Sequence, residues 1–354
     1  MNDMVDYQHH TNESNQPDNL IKNRDENEME EQNGQKHNSL HDSFSKYRQP
    51  YWKSRLTIGL FSVIFLEFLF LFGYIPYVFY FIDVMFKESQ YVGPIVILSV
   101  FHFIFIVTQI SLFKTTFTDP GSIPKGFPDA PIYKEYDLQC YESNSLGEAR
   151  KCVKCNSYKP DRTHHCSKCK RCILKMDHHC PFVNNCIGFF NYKYFILFLG
   201  WATVLCFYIM VTTIGNFKNL LDPRMQMAPS ILLGVIFIIA LVFGIGLAAF
   251  TISHLRYVFY NETTIEHFEK NSPKSTHPSA KRLYRQGDTE SSSSASYRPR
   301  NKYNINYTHN FKSVFGESPW IWFLPIQLPL TPLSGLVFHT TQSETSPLIS
   351  VRLL

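Results

Sequence analysis

"CVKCNSYKPDRTHHCSKCKRCILKMDHHCPFVNNC", residues 152–186, holds seven of the nine cysteines of a 354-residue chain, together with His164, His165, His178 and His179. The stretch has no long apolar run and could not fold on burial alone, so metal would have to supply the missing stability. The pairs Cys152-x2-Cys155 and Cys166-x2-Cys169, the second continued to Cys172, are strong zinc signals. A two-residue gap lets a tight knuckle present both thiolates to one ion. Two closed tetrahedral sites take four ligands each from the eleven Cys and His candidates, and three remain over. Adjacent side chains rarely converge on one tetrahedral ion, so the run "KMDHHCPF" at 175–182 points to divided labour. If one residue of that run is a ligand, the spare set can be Cys180, His178 and one of His164 or His165, beside Asp177. That set offers a nucleophile, a base and an orienting acid. A cysteine near a cationic metal and a histidine has a lowered thiol pKa, and a carboxylate on the far ring nitrogen fixes the tautomer. A structural zinc module with spare residues on its surface fits the same spacing.

Outward from this stretch the chain turns apolar. Four segments are long and apolar enough to cross a bilayer, at about 56–82, 91–113, 194–215 and 230–252. The expected fold class is therefore mainly α and membrane-embedded: four transmembrane helices with a cysteine-rich two-zinc domain between helices 2 and 3. Lys46, Arg48, Lys53 and Arg55 precede the first span, the long middle loop and the tail after Arg256 are rich in Lys and Arg, and the connection from Asp83 to Gln90 has only Lys87. By the positive-inside rule both termini and the loop from Lys114 to Lys193 face the cytosol. Cytosolic thiols stay reduced, so the cysteine pattern means metal or catalysis rather than disulfides.

The expected organisation is a disordered cytosolic tail at 1–50, two spans within 51–113, the cysteine-rich domain at 114–193, two spans within 194–252, a cytosolic region at 253–330 and a flexible tail at 331–354. Residues 1–45 are polar and poor in aromatics, with too little apolar surface to offset ordering entropy, and they lack the apolar core of a signal peptide. A formal net charge of +5 is too small and too scattered to argue for nucleic acid, which leaves the lipid bilayer as the better partner.

The chain resembles the DHHC-type protein S-acyltransferases, or palmitoyltransferases. The resemblance rests on "CVKC", "KPDRTHHCSKC", "CILKMDHHCP" and "VNNCIGFFNYKYF", on "TDPG" at 118–121 and "TTIE" at 263–266, and on a weaker tail match, "NKYNINYTHNFKSVFG" at 301–316. It implies that Cys180 accepts an acyl group from acyl-CoA and passes it to a cytosolic cysteine of a membrane-associated protein by ping-pong thioester exchange, with Asp177 and His178 activating it. It also implies two structural Zn2+ ions, one on Cys152, Cys155, His165 and Cys172, the other on Cys166, Cys169, His179 and Cys186. His179 then holds metal while its neighbours do chemistry. Thr264 lies near the active site, Asn310 braces the tail, and the acyl chain lies between the spans, with Trp201 and Leu205 on one face of the third. Lys175, Arg171 and Lys193 are the cations expected at the CoA phosphates, each otherwise a solvated charge. An endomembrane such as the Golgi is the expected setting, with the plasma membrane as the alternative.

Two departures stand out. Phe182 replaces the family's usual Trp, keeping an aromatic face but losing an indole donor, and Asn306 stands where Gly is common and is expected to tolerate positive φ. Glu67, inside the first span, is either functional, or simply protonated, or turned toward a polar partner in the bundle. Cys206 reads as packing and Cys140 as an ordinary thiol, each with secondary acylation as the alternative. "PWIWFLPIQLPL" at 319–330 is too broken by Pro to span, so an interfacial anchor carrying Trp320 and Trp322 is expected. A membrane-tethered zinc scaffold would leave Cys180 unexplained, and a transporter would want more polar residues in its spans.

Overall fold

Runs of apolar residues with no polar face can satisfy their backbone in hydrocarbon only as helices, and each expected span is one. The computed structural model describes residues 59–88, 91–124, 127, 142, 148–216, 227–271, 301–326 and 334–341. The expected disordered tail at 1–50, which carries the sequon Asn12-Glu-Ser, and Cys140 lie outside the described residues. The spans are α1 (Gly59–Glu88), α2 (Val92–Phe117), α3 (Tyr192–Gly215) and α4 (Met227–Tyr260). All four are long and apolar enough to cross a membrane. Each outruns its apolar stretch, α4 most of all, because hydropathy marks the hydrocarbon depth whereas the helical ladder continues beyond it.

The central helix is α3, which packs on both α2 and α4, while α1 lies against α4 and α2. Two apolar clusters hold the bundle. One joins Leu112, Phe195, Phe198 and Ala202 to Cys180 and Ile187 of the cysteine-rich region and to Val314 and Phe315 of the tail. The other gathers Tyr77, Phe101, Ile104, Leu205 and Ile209. Glu67 finds a polar partner in the bundle, accepting from Gln109 Nε2 at 2.6 Å. Cys206 is half-buried, and a Cβ on Gly244 of α4 would sit 3.1 Å from its own Cβ, in keeping with a packing role.

The cysteine-rich region is three two-stranded antiparallel hairpins: β1 (Lys151–Cys152) with β2 (Ser157–Tyr158), β3 (His164–Cys166) with β4 (Arg171–Ile173), and β5 (His178–Cys180) with β6 (Asn185–Ile187). It is fastened to the end of α2 by side-chain amides. The last carbonyls of a helix have no partner within it. Here Asn185 Nδ2 donates to the carbonyls of Thr115, Thr116 and Thr118 at 3.0, 3.3 and 2.9 Å, and Asn191 Nδ2 to those of Thr115 and Cys186. In the "TDPG" turn, Asp119 Oδ1 accepts from the amide of Gly121, whose φ of 100° favours glycine.

Among the described residues after α4 are α5 (Thr264–Asn271), α6 (Tyr307–Phe315) and one turn of 3-10 helix at Pro319–Ile321. Asn310 braces the tail: its Nδ2 donates to the carbonyl of Phe259 at 2.7 Å and to Asn304 Oδ1. Asn306 departs from expectation. Its backbone is extended, at φ −156°, and its side chain caps α6 by accepting from His309 N, so the position asks for a capping oxygen and not for positive φ. The two tail tryptophans also divide: Trp320 is 88% exposed, whereas Trp322 packs edge-on against Phe311 and donates to the carbonyl of Gly316. Within 331–354, expected to be flexible, Ser334–Thr341 instead packs down, with Leu336 and Thr340 buried.

Candidate functional site

The hairpins interlock two clusters that could each hold a metal ion. Cys152, Cys155, His165 and Cys172 bring their donor atoms within 4.8 Å of one another, and so do Cys166, Cys169, His179 and Cys186. In each, a knuckle from one hairpin faces a cross-strand His–Cys pair of the next, His165 opposite Cys172 and His179 opposite Cys186. A tetrahedral zinc at ordinary bond lengths sets sulfur and nitrogen about 3.6 Å apart. The thiol sulfurs lie 3.7, 3.2 and 3.9 Å from His165 Nδ1, and 3.7, 3.5 and 3.5 Å from His179 Nδ1. Both donor sets therefore fit zinc.

The arrangement is a repeat. Adding fourteen to Cys152, Cys155, His165 and Cys172 gives Cys166, Cys169, His179 and Cys186, and the same step carries His164 to His178 and Cys166 to Cys180. Cys180 would thus open a third knuckle, but the position three residues on is Val183, and no further ligand pair follows. Its thiol is left over because the repeat stops. This internal period was present in the sequence and is the signal that ligand counting alone passes over.

His178 and Cys180 frame the β5 strand, and the preceding Asp177 is buried. Asp177 Oδ2 accepts from His178 Nδ1 at 2.6 Å, which leaves the far side of the ring to its hydrogen bond with Cys180. Burial opposes the charged Asp177 carboxylate, but the His178 imidazole and the Thr264 amide hold it below the usual range. Burial likewise pulls His178 down, and the Asp177 carboxylate and the Cys180 sulfur overcome it, raising the imidazole to about 9. For Cys180 burial pushes the thiol up, while the His178 bond and the amides of Val183 and Phe182 bring it below its ordinary value. The three groups together favour a thiolate–imidazolium pair.

Thr264 is fixed on the same carboxylate, its amide donating to Asp177 Oδ1 at 2.9 Å and its hydroxyl to Oδ2 at 2.7 Å. The "TTIE" motif is a capping box: the Glu266 amide donates to Thr263 Oγ1, and the Thr263 amide donates to Glu266 Oε2. Glu266 is held in turn by Arg162, a fully buried guanidinium that donates to both carboxylate oxygens at 2.7 Å and to the side chain and carbonyl of Asn261. Sequence reasoning missed Arg162, Glu266 and Asn261. It also missed His254 of α4, whose buried ring lies 6.0 Å from that of His178 and meets Tyr192 Oη.

The cations expected at CoA fare differently. Lys193 is buried and donates to the carbonyls of Phe315 and Ile321 at 3.2 and 2.9 Å, which ties it to the tail. Arg171 is a bidentate partner of Asp119, at 3.1 and 2.9 Å. Lys175 is half-buried with its ammonium 6.0 Å from the Phe338 ring, and burial and Arg162 pull it down to about 7. Trp201 donates from its indole to the carbonyl of Phe323, Leu205 is buried in the bundle, and Phe182 stands 67% exposed beside Cys180.

The family profile described as DHHC palmitoyltransferase matches residues 145–271. Probable protein S-acyltransferase 13 of Arabidopsis thaliana is 32% identical over 276 residues, which is 73% of this chain and 82% of that protein. Palmitoyltransferase ZDHHC20 of Homo sapiens is 31% identical over 295 residues, covering 76% of this chain and 74% of its own length. The likeness therefore reaches past the cysteine-rich region into the spans.

Proposed function

The chain belongs to the DHHC palmitoyltransferase family and is a protein S-acyltransferase; from that premise we propose that Cys180 is the acyl-carrying nucleophile, with His178 its base and Asp177 the orienting acid. The observation that supports this most is the line from Thr264 through Asp177 and His178 to Cys180, built on the one thiol of the repeat that no metal cluster takes. The Cys180 thiolate attacks the thioester carbonyl of a long-chain acyl-CoA, the carbon–sulfur bond to CoA breaks, and the departing thiolate takes its proton from His178. A cysteine of a membrane-associated protein then gives its proton to His178 and attacks acyl-Cys180, restoring the enzyme. Two Zn2+ ions, on the two four-residue clusters, hold the hairpins in place and take no part in the transfer.

Cys180 shares an apolar cluster with Phe195, Phe198 and Ala202 of α3, which favours descent of the acyl tail between the spans. Burying a sixteen-carbon chain at about 0.8 kcal/mol per methylene offers on the order of 10 kcal/mol. Incubation of purified protein with labelled palmitoyl-CoA should give a hydroxylamine-sensitive adduct at Cys180; an adduct confined to other cysteines would sink this assignment.

Leu205 lies thirteen residues beyond Tyr192, about 20 Å along the helix, close to the roughly 20 Å of an extended palmitoyl chain. Leu205→Phe and Leu205→Trp should therefore shift preference from C16 and C18 toward C14 acyl-CoA by about threefold or more in competition. Unchanged preference in both variants would remove Leu205 from the pocket.

The termini and the zinc region are assigned to the cytosol of an endomembrane such as the Golgi. Asn261, in the sequon Asn261-Glu-Thr, is also buried, with its side chain held by Arg162 and Tyr303. It should stay unglycosylated in cells, as should the sequons at Asn12 and Asn306; an endoglycosidase shift traced to any of the three would reverse the orientation.

A further inference from the structure

Residues Ser334–Thr341, "SGLVFHTT", lie well beyond the residues that the family profile matches, yet they pack against the cysteine-rich region. Phe338 is the centre of the contact. Its ring lies 6.1 Å from that of Phe189 and 5.9 Å from that of Tyr303, with the Arg162 guanidinium at 5.3 Å and the Lys175 ammonium at 6.0 Å. Tyr303 covers the same guanidinium at 4.3 Å. Gly335, at φ 83°, turns so close to the domain that a Cβ would stand 3.0 Å from Phe189 and 3.3 Å from Leu174. Leu336 and Thr340 are buried, and the Thr341 amide donates to the carbonyl of Lys302 at 2.9 Å.

What the strap covers is the far end of the line that fixes the active site. Arg162 holds Glu266, Glu266 caps the turn that carries Thr264, and Thr264 donates twice to Asp177. A guanidinium with two carboxylate bonds still has two faces, and an aromatic ring on one of them excludes water and fixes its plane. Lys175, two residues before Asp177, meets the same ring.

We propose that Ser334–Thr341 is a positioning strap for acyl transfer, with Phe338 clamping Arg162 and so setting, through Glu266 and Thr264, the orientation of the Asp177–His178 pair. The inference rests on the reading of Cys180 as the nucleophile. It assigns Phe338 no contact with acyl-CoA or substrate, so its effect falls on the rate of the chemical step and not on binding.

The test uses the full chain, chains ending at residue 333 or 341, Phe338→Ala and Phe338→Tyr, all purified with bound zinc. Single-turnover formation of acyl-enzyme from palmitoyl-CoA is followed with zinc content and melting temperature. The chain ending at 333 and Phe338→Ala should acylate about three- to tenfold more slowly, with KM for palmitoyl-CoA unchanged and both zincs retained. Phe338→Tyr and the chain ending at 341 should react at the full rate. A synthetic peptide of residues 332–343 should restore the shorter chain saturably. Full activity of the chain ending at 333 would overturn the proposal. So would a loss that tracks zinc content or melting temperature and that the peptide fails to repair, because that pattern describes a fold brace alone. Cys180→Ser run alongside separates the premise: a surviving adduct there would refute the nucleophile while leaving the strap's effect on rate to be read independently.

Discussion

Cys180→Ser should abolish self-acylation and leave two zinc ions per chain. The chemical half of this expectation follows from the thiol's surroundings. His178 and the amides of Phe182 and Val183 favour the thiolate at Cys180, and the His178 ring is held in place by a buried Asp177. A hydroxyl at the same position has a far higher pKa, and a single imidazole cannot make up the difference, so adduct formation should fall by at least roughly a thousandfold. The metal half follows from the repeat. The two clusters are complete without Cys180, and serine is close to cysteine in size, so the buried pocket beside Phe195 and Ile187 should tolerate it. Elemental analysis and labelled palmitoyl-CoA on the same preparation decide the matter. Loss of zinc in Cys180→Ser would show that the thiol belongs to a metal site and that the division of roles across Asp177–Cys180 is wrong.

The sequence was most legible where one physical demand acts alone. Four spans were visible because length and apolarity are enough to cross hydrocarbon, and their ends were blurred because hydropathy does not see a helix continue into water. The two cysteine clusters were visible as knuckles, although the division of eight ligands between them rested on family resemblance and not on spacing. The fourteen-residue period would have given it from the residues. Contacts between distant segments were the least legible. Arg162 and Glu266 are 104 positions apart, and neither motif announces the other, since a buried guanidinium looks like any surface Arg until its partner is known. Lys193 misled for the converse reason: a lysine at a helix start next to an interface reads as an exposed cation, whereas here tail carbonyls capture it. At Asn306 the sequence marks a departure but not its cause, because an Asn in place of Gly can supply a side-chain acceptor as readily as a left-handed backbone.

His179→Ala should release one zinc per chain and reduce acyl-enzyme formation by at least about a hundredfold, whereas Cys155→Ala, which also costs one zinc, should reduce it markedly less. The difference lies in which hairpins each ion ties. The cluster of Cys152, Cys155, His165 and Cys172 joins β1–β2 to β3–β4, both of them upstream of Asp177, His178 and Cys180. The cluster of Cys166, Cys169, His179 and Cys186 joins β3–β4 to β5–β6, and β5 is the strand that carries His178 and Cys180. Structural zinc contributes about 10–16 kcal/mol in small domains, far more than two three-residue strands could supply for themselves. Without the second ion, β5–β6 keeps the Asn185 bonds to the end of α2 and the Asp177 bonds to Thr264, enough to stay near α2 and α5 but not to hold the Cys180 sulfur in register with the His178 ring. Loss of the first ion leaves that register clamped and loosens only the approach through Arg162, which has its own anchorage on Glu266 and Asn261. Zinc content and single-turnover acylation, measured on both variants, separate the two effects. Equal losses of activity would mean that the clusters fold as one cooperative unit and that the second has no privileged hold on the reacting strand.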